Sequence, residues 1–69
     1  MNQYVTGTII KELRERNKMT QLQLADKLGV TDKTISKWET GTSDPSTSNL
    51  FALAKLYGVS VEELLKEIE

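Results

Sequence analysis

The 69-residue sequence predicts an all-α fold in which five short helices pack as an orthogonal bundle. Apolar residues recur at helical spacing in five segments, which indicates five amphipathic helices. Threonines and serines suited to helix N-capping, and glycines suited to helix termination, separate these segments. The sequence has no internal repeat, and its length fits a single domain over residues 1–69.

The first helix is predicted from Gly7 to about Asn17, with Ile10 and Leu13 facing inward. Residues 1–6 precede this helix, and we expect them to form a short, flexible, loosely held arm. The inward residues give the helix one apolar stripe, which must be covered by other helices.

The second helix is predicted from Gln21 to Leu28. Thr20 is a good N-cap, and Gln23 three residues later completes a capping box. Gly29 follows as a C′ residue with positive φ, which ends the helix.

The third helix is predicted from Asp32 to about Glu39, with Thr31 as its N-cap. A small residue, Ala25, lies four before the turn glycine, Gly29, where a second helix must cross closely. Ile35 lies six residues after this glycine and packs back onto the second helix. This spacing is typical of a helix-turn-helix, whose second helix can enter the major groove of DNA.

The remainder of the chain is predicted to form one loop and two further helices. The loop spans Thr40 to Thr47, where Gly, Ser, Asp and Pro break regular structure. The fourth helix runs from about Ser48 to Tyr57 and closes at Gly58, and a second capping box at Ser60 starts the fifth, residues 61–68. Their inward residues are Leu50, Leu53, Ala54 and Tyr57, then Val61, Leu64, Leu65 and Ile68.

The composition argues against an enzyme and against a metal or cofactor site. The chain has no cysteine and no histidine, so it lacks the thiolate ligand, the imidazole ligand and the commonest general base. It has no apolar run long enough for a membrane span and no signal peptide, which fits a cytoplasmic protein. The net charge is −1, but residues 1–40 sum to +2 and residues 41–69 to −3.

The segment from Thr20 to Gly41 (TQLQLADKLGVTDKTISKWETG) resembles the helix-turn-helix of the Cro/cI-type, or XRE, family of bacterial and phage transcriptional regulators. The stretches IIKELRERNKMTQ and SNLFALAKLYGVSVEELL resemble this family's first helix and its last two helices. The resemblance covers roughly residues 5–68. It implies a lambda-repressor-like fold and a repressor that binds double-stranded DNA as a dimer on a pseudo-palindromic operator.

The outward face of the third helix is the candidate base-reading surface. On a helical wheel, Ile35 and Trp38 point inward, and the opposite face carries the polar residues Asp32, Lys33, Ser36 and Lys37. Lysine donates to guanine or to phosphate, serine donates or accepts, and aspartate accepts from cytosine N4. On charge pattern alone these lysines fit a solvated face, but within this motif we interpret them as DNA contacts.

Four further residues are candidates for contacts to the DNA backbone. Gln21 begins the second helix, where backbone N–H groups are free, and the resemblance implies that it contacts a phosphate and buttresses the third helix. Thr31 combines N-capping with a backbone or methyl contact. Thr40 and Thr42 follow the third helix and offer hydroxyl or amide groups to phosphate.

Two charged residues and one aromatic residue have a structural interpretation. The resemblance implies that Arg14 and Glu39 form an ion pair that ties the first helix to the end of the third. Such a pair sets the angle of the third helix without touching DNA. Trp38 is in phase with Ile35, so we interpret it as a core residue rather than a base-stacking one.

The loop after the third helix departs from the family pattern. Family members commonly carry Lys or Arg between the glycine and the proline, whereas this chain has Thr42, Ser43 and Asp44 there. We therefore expect weak DNA binding, with a homodimer formed on DNA and a weakly associated or monomeric protein without it. The alternative is a helix-turn-helix module, antitoxin-like or regulatory, whose main partner is a protein. Unsatisfied apolar residues on the fifth helix would favour that alternative.

Overall fold

The computed structural model describes residues 3–4, 6–65 and 67–68, and it describes side chains over residues 6–65. These residues form five α-helices and one short two-stranded β-ribbon. The five-helix, all-α architecture predicted from the sequence is confirmed. No helix in this part of the chain is long and apolar enough to cross a membrane. The elements in order are β1 Gln3–Tyr4, α1 Thr6–Arg16, α2 Gln21–Leu28, α3 Asp32–Glu39, α4 Thr47–Tyr57, α5 Val61–Leu64 and β2 Glu67–Ile68.

The helix boundaries agree with prediction for α2 and α3 and differ elsewhere. Both ends of α1 lie one residue earlier than predicted, and α4 begins one residue earlier because Ser46 is its N-cap. The largest difference is in α5, which ends at Leu64 rather than at residue 68. Leu65 leaves the helix with φ −104° and ψ 36°. Glu67 and Ile68, which were predicted to continue this helix, instead form β2.

The two short strands pair the ends of the chain. They are antiparallel, with Gln3 opposite Ile68 and Tyr4 opposite Glu67. The structure therefore differs from the expected arm over residues 1–6, since β1 lies within it and Thr6 is a buried first residue of α1. Residues 1, 2 and 5 lie outside the described residues.

Hydroxyl side chains cap the N-termini of α2, α3, α4 and α5. Thr20 accepts from the Gln23 amide at 3.0 Å, and the Gln23 side chain accepts from the Thr20 amide at 2.8 Å, which is the predicted capping box. At Ser60 only the serine half of the second predicted box is formed. Gly29 ends α2 with φ 70°, a left-handed conformation that a side chain makes costly.

One apolar cluster holds the helices together. Every helix contributes to it, and α3 contributes Ile35 and Trp38, which anchor that helix against α1 and α2. Ala25 has no exposed surface, consistent with the small residue predicted where two helices cross. Each fully buried large aliphatic side chain contributes about 1.5–3 kcal/mol by leaving water. The cluster comprises Ile10, Leu13, Leu24, Ala25, Ile35, Trp38, Leu50, Leu53 and Leu64.

Gly7 allows the start of α1 to lie directly against the end of α3. A Cβ atom at this position would overlap the Trp38 carbonyl oxygen and lie 3.1 Å from the Glu39 carbonyl carbon. Both neighbours are backbone atoms, which cannot move aside as a flexible side chain can. This contact therefore helps to fix the position of α3 on the bundle.

Candidate nucleic-acid interface

The two sides of α3 differ sharply in exposure. Ile35 and Trp38 are 0% and 4% exposed, so the inner side is fully occupied by packing. On the other side Asp32, Lys33 and Lys37 are exposed, and Ser36 is half-buried. The structure thus brings the four predicted base-reading residues to the outer side of one helix, with Ser36 the least accessible.

The hydroxyl group of Thr31 is engaged at the start of α3. It accepts from the Thr34 amide at 3.2 Å and lies 3.0 Å from the Thr34 hydroxyl. Capping, the structural half of the role predicted for Thr31, is therefore present. A contact from this residue to DNA would have to use its backbone or methyl group, or break the hydroxyl pair.

Thr40 and Thr42 form a short hydroxyl chain at the end of α3. The Thr40 hydroxyl donates to the Ser36 carbonyl at 3.0 Å and lies 3.0 Å from the Thr42 hydroxyl. Because Thr40 has a single hydroxyl hydrogen, Thr42 is the donor in the second bond. The backbone amide of Thr42 is also occupied, since it donates to the Lys37 carbonyl at 2.9 Å. A phosphate contact from Thr42 therefore requires its hydroxyl to rotate away from Thr40.

A polar network centred on Glu39 joins α1, α2 and α3. Arg14 donates to the two carboxylate oxygens of Glu39 through Nε and Nη2, at 2.6 and 3.0 Å. Gln21 donates to the same carboxylate through Nε2 at 3.1 Å. The Arg14 and Glu39 side chains are only 11% and 4% exposed, and Arg14 also donates to the Met19 carbonyl at 2.9 Å. The ion pair predicted for Arg14 and Glu39 is present, and it is bidentate.

The ionisation of Glu39 follows from its surroundings. Burial by itself would raise the pKa of this carboxyl. The hydrogen bonds from Arg14 and Gln21, together with the positive charges of Arg14 and Lys11, outweigh burial, and the pKa lies below its ordinary value. The hydrogen bond to Glu39 raises the pKa of Arg14 in turn. Glu39 is therefore a carboxylate at neutral pH, and it accepts three hydrogen bonds from two residues of other helices.

The helix ends that flank α3 are electrostatically suited to an anion. The first turns of α2 and α4 carry no acidic residue, so the positive ends of their dipoles are uncompensated. The first turn of α3 differs, because it carries Asp32. The loop from residue 40 to 46 contains Asp44 and no lysine or arginine. The cationic side chains of α3 itself are Lys33 and Lys37, and the charge of Lys11 in α1 also acts on Glu39 at the end of α3.

Two features of this region were missed by the sequence interpretation. One is the close approach of Gly7 to α3. The available signal was the glycine itself, which is a poor helix former yet lies in the first turn of α1. The other is the Thr40–Thr42 hydroxyl chain, which depends on a loop conformation that no sequence pattern specifies.

Comparison with known proteins identifies the family. A family model described as helix-turn-helix matches residues 10–64. Repressor protein C2 of Salmonella phage P22 is 36% identical over 66 residues, which is 96% of this chain and 31% of the repressor. The transcriptional activator BcrR of Enterococcus faecalis is 39% identical over 56 residues, or 81% of this chain and 28% of that protein. The chain spans between 28% and 50% of the length of these and two similar curated relatives.

Solved structures show the same fold. The crystal structure of the P22 c2 repressor in complex with a synthetic operator has a TM-score of 0.85 and 34% identity, covering 93% of this chain and 97% of that one. An Fe(II) complex of HppE with substrate has a TM-score of 0.79 and 30% identity, and it matches over only 37% of its own length. The arrangement of α2 and α3, the family match over residues 10–64 and these relatives agree. The chain belongs to the Cro/cI-type, or XRE, helix-turn-helix family, and the relatives named above include a repressor and a transcriptional activator.

Proposed function

We propose that this protein is a transcriptional regulator that binds double-stranded DNA in a sequence-specific manner, with α3 in the major groove. The observation that carries this proposal is the two-sided character of α3. Its inner side is anchored by Ile35 and Trp38, and its outer side presents exposed polar groups. A helix held rigidly in this way is suited to positioning side chains against base edges.

Four residues of α3 are proposed to read bases. Lys33 and Lys37 donate to guanine O6 and N7 or to neighbouring phosphates, and Asp32 accepts from cytosine N4. Ser36 is half-buried and has a short side chain, so it contacts only a group that lies directly against the helix. The mixture of one acid and two lysines favours sites that contain G·C pairs.

The proposed backbone contacts come from the flanking helix ends. Gln21 lies at the positive end of α2, where its free amide approaches a phosphate while its side chain remains bonded to Glu39. Thr31 contributes its backbone or methyl group. Thr40 and Thr42 contribute one hydroxyl donor after the rotation described above. Arg14 and Glu39 hold the angle of α3 and touch no DNA.

We further propose a homodimer that forms on a pseudo-palindromic operator, with half-sites about 34–36 Å apart. A single short helix reads only a few base pairs, so two copies are needed for an affinity near 10⁻⁸ M, which is typical of specific binders. The similarity to the P22 repressor supports repression, in the cytoplasm where the DNA of a prokaryotic cell lies. The similarity to the activator BcrR makes activation the alternative to repression, and a reporter assay distinguishes the two.

The salt dependence of binding follows from the number of lysines proposed to contact phosphate. If Lys33 and Lys37 are the ionic contacts, each domain neutralises about two phosphates, and a dimer about four. The slope of log K against log salt is then about −3.6, at roughly 0.9 per contact. A slope as steep as −8 would show that other cations carry the binding.

The test is selection of sites from random duplexes, followed by fluorescence anisotropy on the selected duplex at two salt concentrations. We expect an inverted repeat, and we expect Lys37→Ala to weaken binding to it by roughly tenfold, since one good base contact is worth about 1–3 kcal/mol. Lys55→Ala, an exposed lysine of α4, is the matched control and should bind like wild type. No enrichment, or equal losses in both variants, would overturn the proposal.

A non-enzymatic role is part of this proposal. The sequence has no histidine or cysteine to act as a base, a nucleophile or a metal ligand. The match to HppE covers 37% of that protein, so the shared fold does not carry over an activity. Incubating the intact chain with Fe(II) and the substrate of HppE, and measuring whether product forms, checks this point.

A protein-binding module is the second candidate function. The loop without cations favours it, and so does the exposure of Leu65, which is 38% accessible at the end of α5. Leu64 does not support it because it is fully buried, and Ile68 lies outside the described side chains. Sedimentation of the protein with and without duplex separates the two functions, since only the first requires a shift on adding DNA.

A further inference from the structure

A shallow groove lies between the C-terminal ends of α2 and α4. Its cavity measures about 440 Å³ and is lined by Lys27 and Leu28 of α2 and by Ala52, Lys55 and Leu56 of α4. The three lining residues of α4 share one side of that helix, because they lie at i, i+3 and i+4. The groove therefore has an apolar floor of three side chains and one lysine on each wall.

Part of the apolar floor of the groove is not used in packing the hydrophobic core. Leu28 is half-buried and packs against the central cluster, but Leu56 is 38% exposed and is not part of that packing. An exposed leucine at the bottom of a concave surface gains free energy when another apolar group covers it. The groove can thus accept an apolar side chain of roughly the size of leucine.

The two lysines make the walls of the groove positive. Neither Lys27 nor Lys55 has a carboxylate within 4 Å among the side chains of residues 6–65, where the ion pair found is Arg14–Glu39. No acidic residue lines the groove. In a chain with net charge −1, this is a local reversal of sign. A partner with carboxylates on both sides of an apolar side chain would match it.

The groove lies apart from the proposed DNA-binding face. It uses the last two residues of α2, whereas Gln21, the proposed phosphate contact, is the first residue of the same helix. Seven residues of helix separate the two ends by about 10 Å. On α4 it uses the C-terminal half, away from the loop that follows α3. A DNA phosphate would also make no use of the apolar floor of this groove.

We propose that the groove between α2 and α4 is a docking site for an acidic amphipathic helix of a partner protein. Leucines on one side of that helix pack on Leu28, Ala52 and Leu56, and its glutamates or aspartates pair with Lys27 and Lys55. The site is independent of DNA binding, so the domain would bind DNA with α3 and a protein with this groove.

The experiment uses the whole chain and a fluorescein-labelled 14-residue synthetic peptide with leucines at i, i+4 and i+7 and glutamates at the flanking positions. Binding is followed by anisotropy, and the contacted amides are mapped by NMR. We expect saturable binding that moves the amides of Leu28, Ala52 and Leu56. We also expect the double substitution Lys27→Glu/Lys55→Glu to raise the Kd at least about tenfold, since two favourable pairs become two repulsions.

The controls separate this site from general charge attraction. The double substitution Lys11→Glu/Lys18→Glu changes the net charge equally at two exposed lysines outside the groove and should leave the Kd within about twofold. Leu56→Ser should weaken peptide binding while keeping both lysines. The proposal is overturned if the peptide does not bind wild type, if both charge-reversed proteins lose it equally, or if Lys27→Glu/Lys55→Glu loses a DNA duplex as strongly as the peptide.

Discussion

Breaking the Arg14–Glu39 pair should be among the most damaging single changes on this domain. Glu39→Leu removes the acceptor of three hydrogen bonds, two from Arg14 and one from Gln21. The Arg14 side chain, which is 11% exposed in the native protein, would then keep its charge without its ion-pair partner. Arg14→Met would likewise leave the Glu39 carboxylate, whose side chain is 4% exposed, without its ion-pair partner.

The expected magnitude is about 3 kcal/mol or more for each single substitution, because it leaves a buried charge uncompensated. A 69-residue domain has a total stability of roughly 3–10 kcal/mol, so this loss is a large fraction of the whole. It corresponds to a fall in Tm of roughly 10–25 °C. The double variant Arg14→Met/Glu39→Leu removes both charges, and it should lose much less than the two singles together.

Urea denaturation followed by circular dichroism measures all four proteins at 25 °C, and Glu39→Gln serves as a milder variant if a single substitution prevents folding. The coupling energy of the cycle should be at least about 2 kcal/mol. A double variant that loses the full sum of the single effects would refute the reasoning, because it would mean that the two residues stabilise the fold independently.

Three other predictions concern the backbone and pH. Gly7→Ala should lower the free energy of unfolding by about 1–3 kcal/mol in chemical denaturation, because the added Cβ overlaps the Trp38 carbonyl. Thr8→Ala, at the exposed neighbouring position, is the control and should have little effect. Equal losses in both variants would exclude the close approach as the cause. Lys18 has φ 56°, so Lys18→Gly should raise stability by about 0.5–1 kcal/mol, and a lower Tm would show that its conformation is unstrained. Because folding lowers the pKa of Glu39, its contribution is complete above about pH 4.5 and is lost as pH falls through the lowered value. Thermal melts from pH 6 to 3 should therefore fall more steeply for wild type than for Glu39→Gln, and parallel curves would contradict this.

Local signals in the sequence predicted the central part of the fold well. Thr20, Thr31 and Gly29 carry their own capping or terminating chemistry, and α2 and α3 have the predicted bounds. The inward side of α3 followed from the phase of Ile35 and Trp38, because burial and helical period are linked. These are properties of a few adjacent residues, so they are readable without the rest of the chain.

Features that depend on distant parts of the chain were harder to predict. The end of α5 at Leu64 and the pairing of β1 with β2 depend on where two chain ends meet, which no local pattern specifies. The Arg14–Glu39 pair joins residues 25 apart, and it was expected only through the family resemblance. For the candidate interface, the sequence predicted which residues lie on the outer side of α3. It did not predict that the Thr42 hydroxyl already donates to Thr40, which in turn donates to the Ser36 carbonyl.

The burial of Trp38 has a consequence for spectroscopy. It is the single tryptophan of the chain, and at 4% exposure its indole ring is out of reach of a DNA ligand. Its intrinsic fluorescence therefore reports on the packing at the end of α3, where the backbone of α1 also approaches. A change in emission on adding DNA would mean that α3 moves relative to the apolar cluster. An unchanged spectrum with saturable binding would mean that the domain docks on DNA as a rigid body.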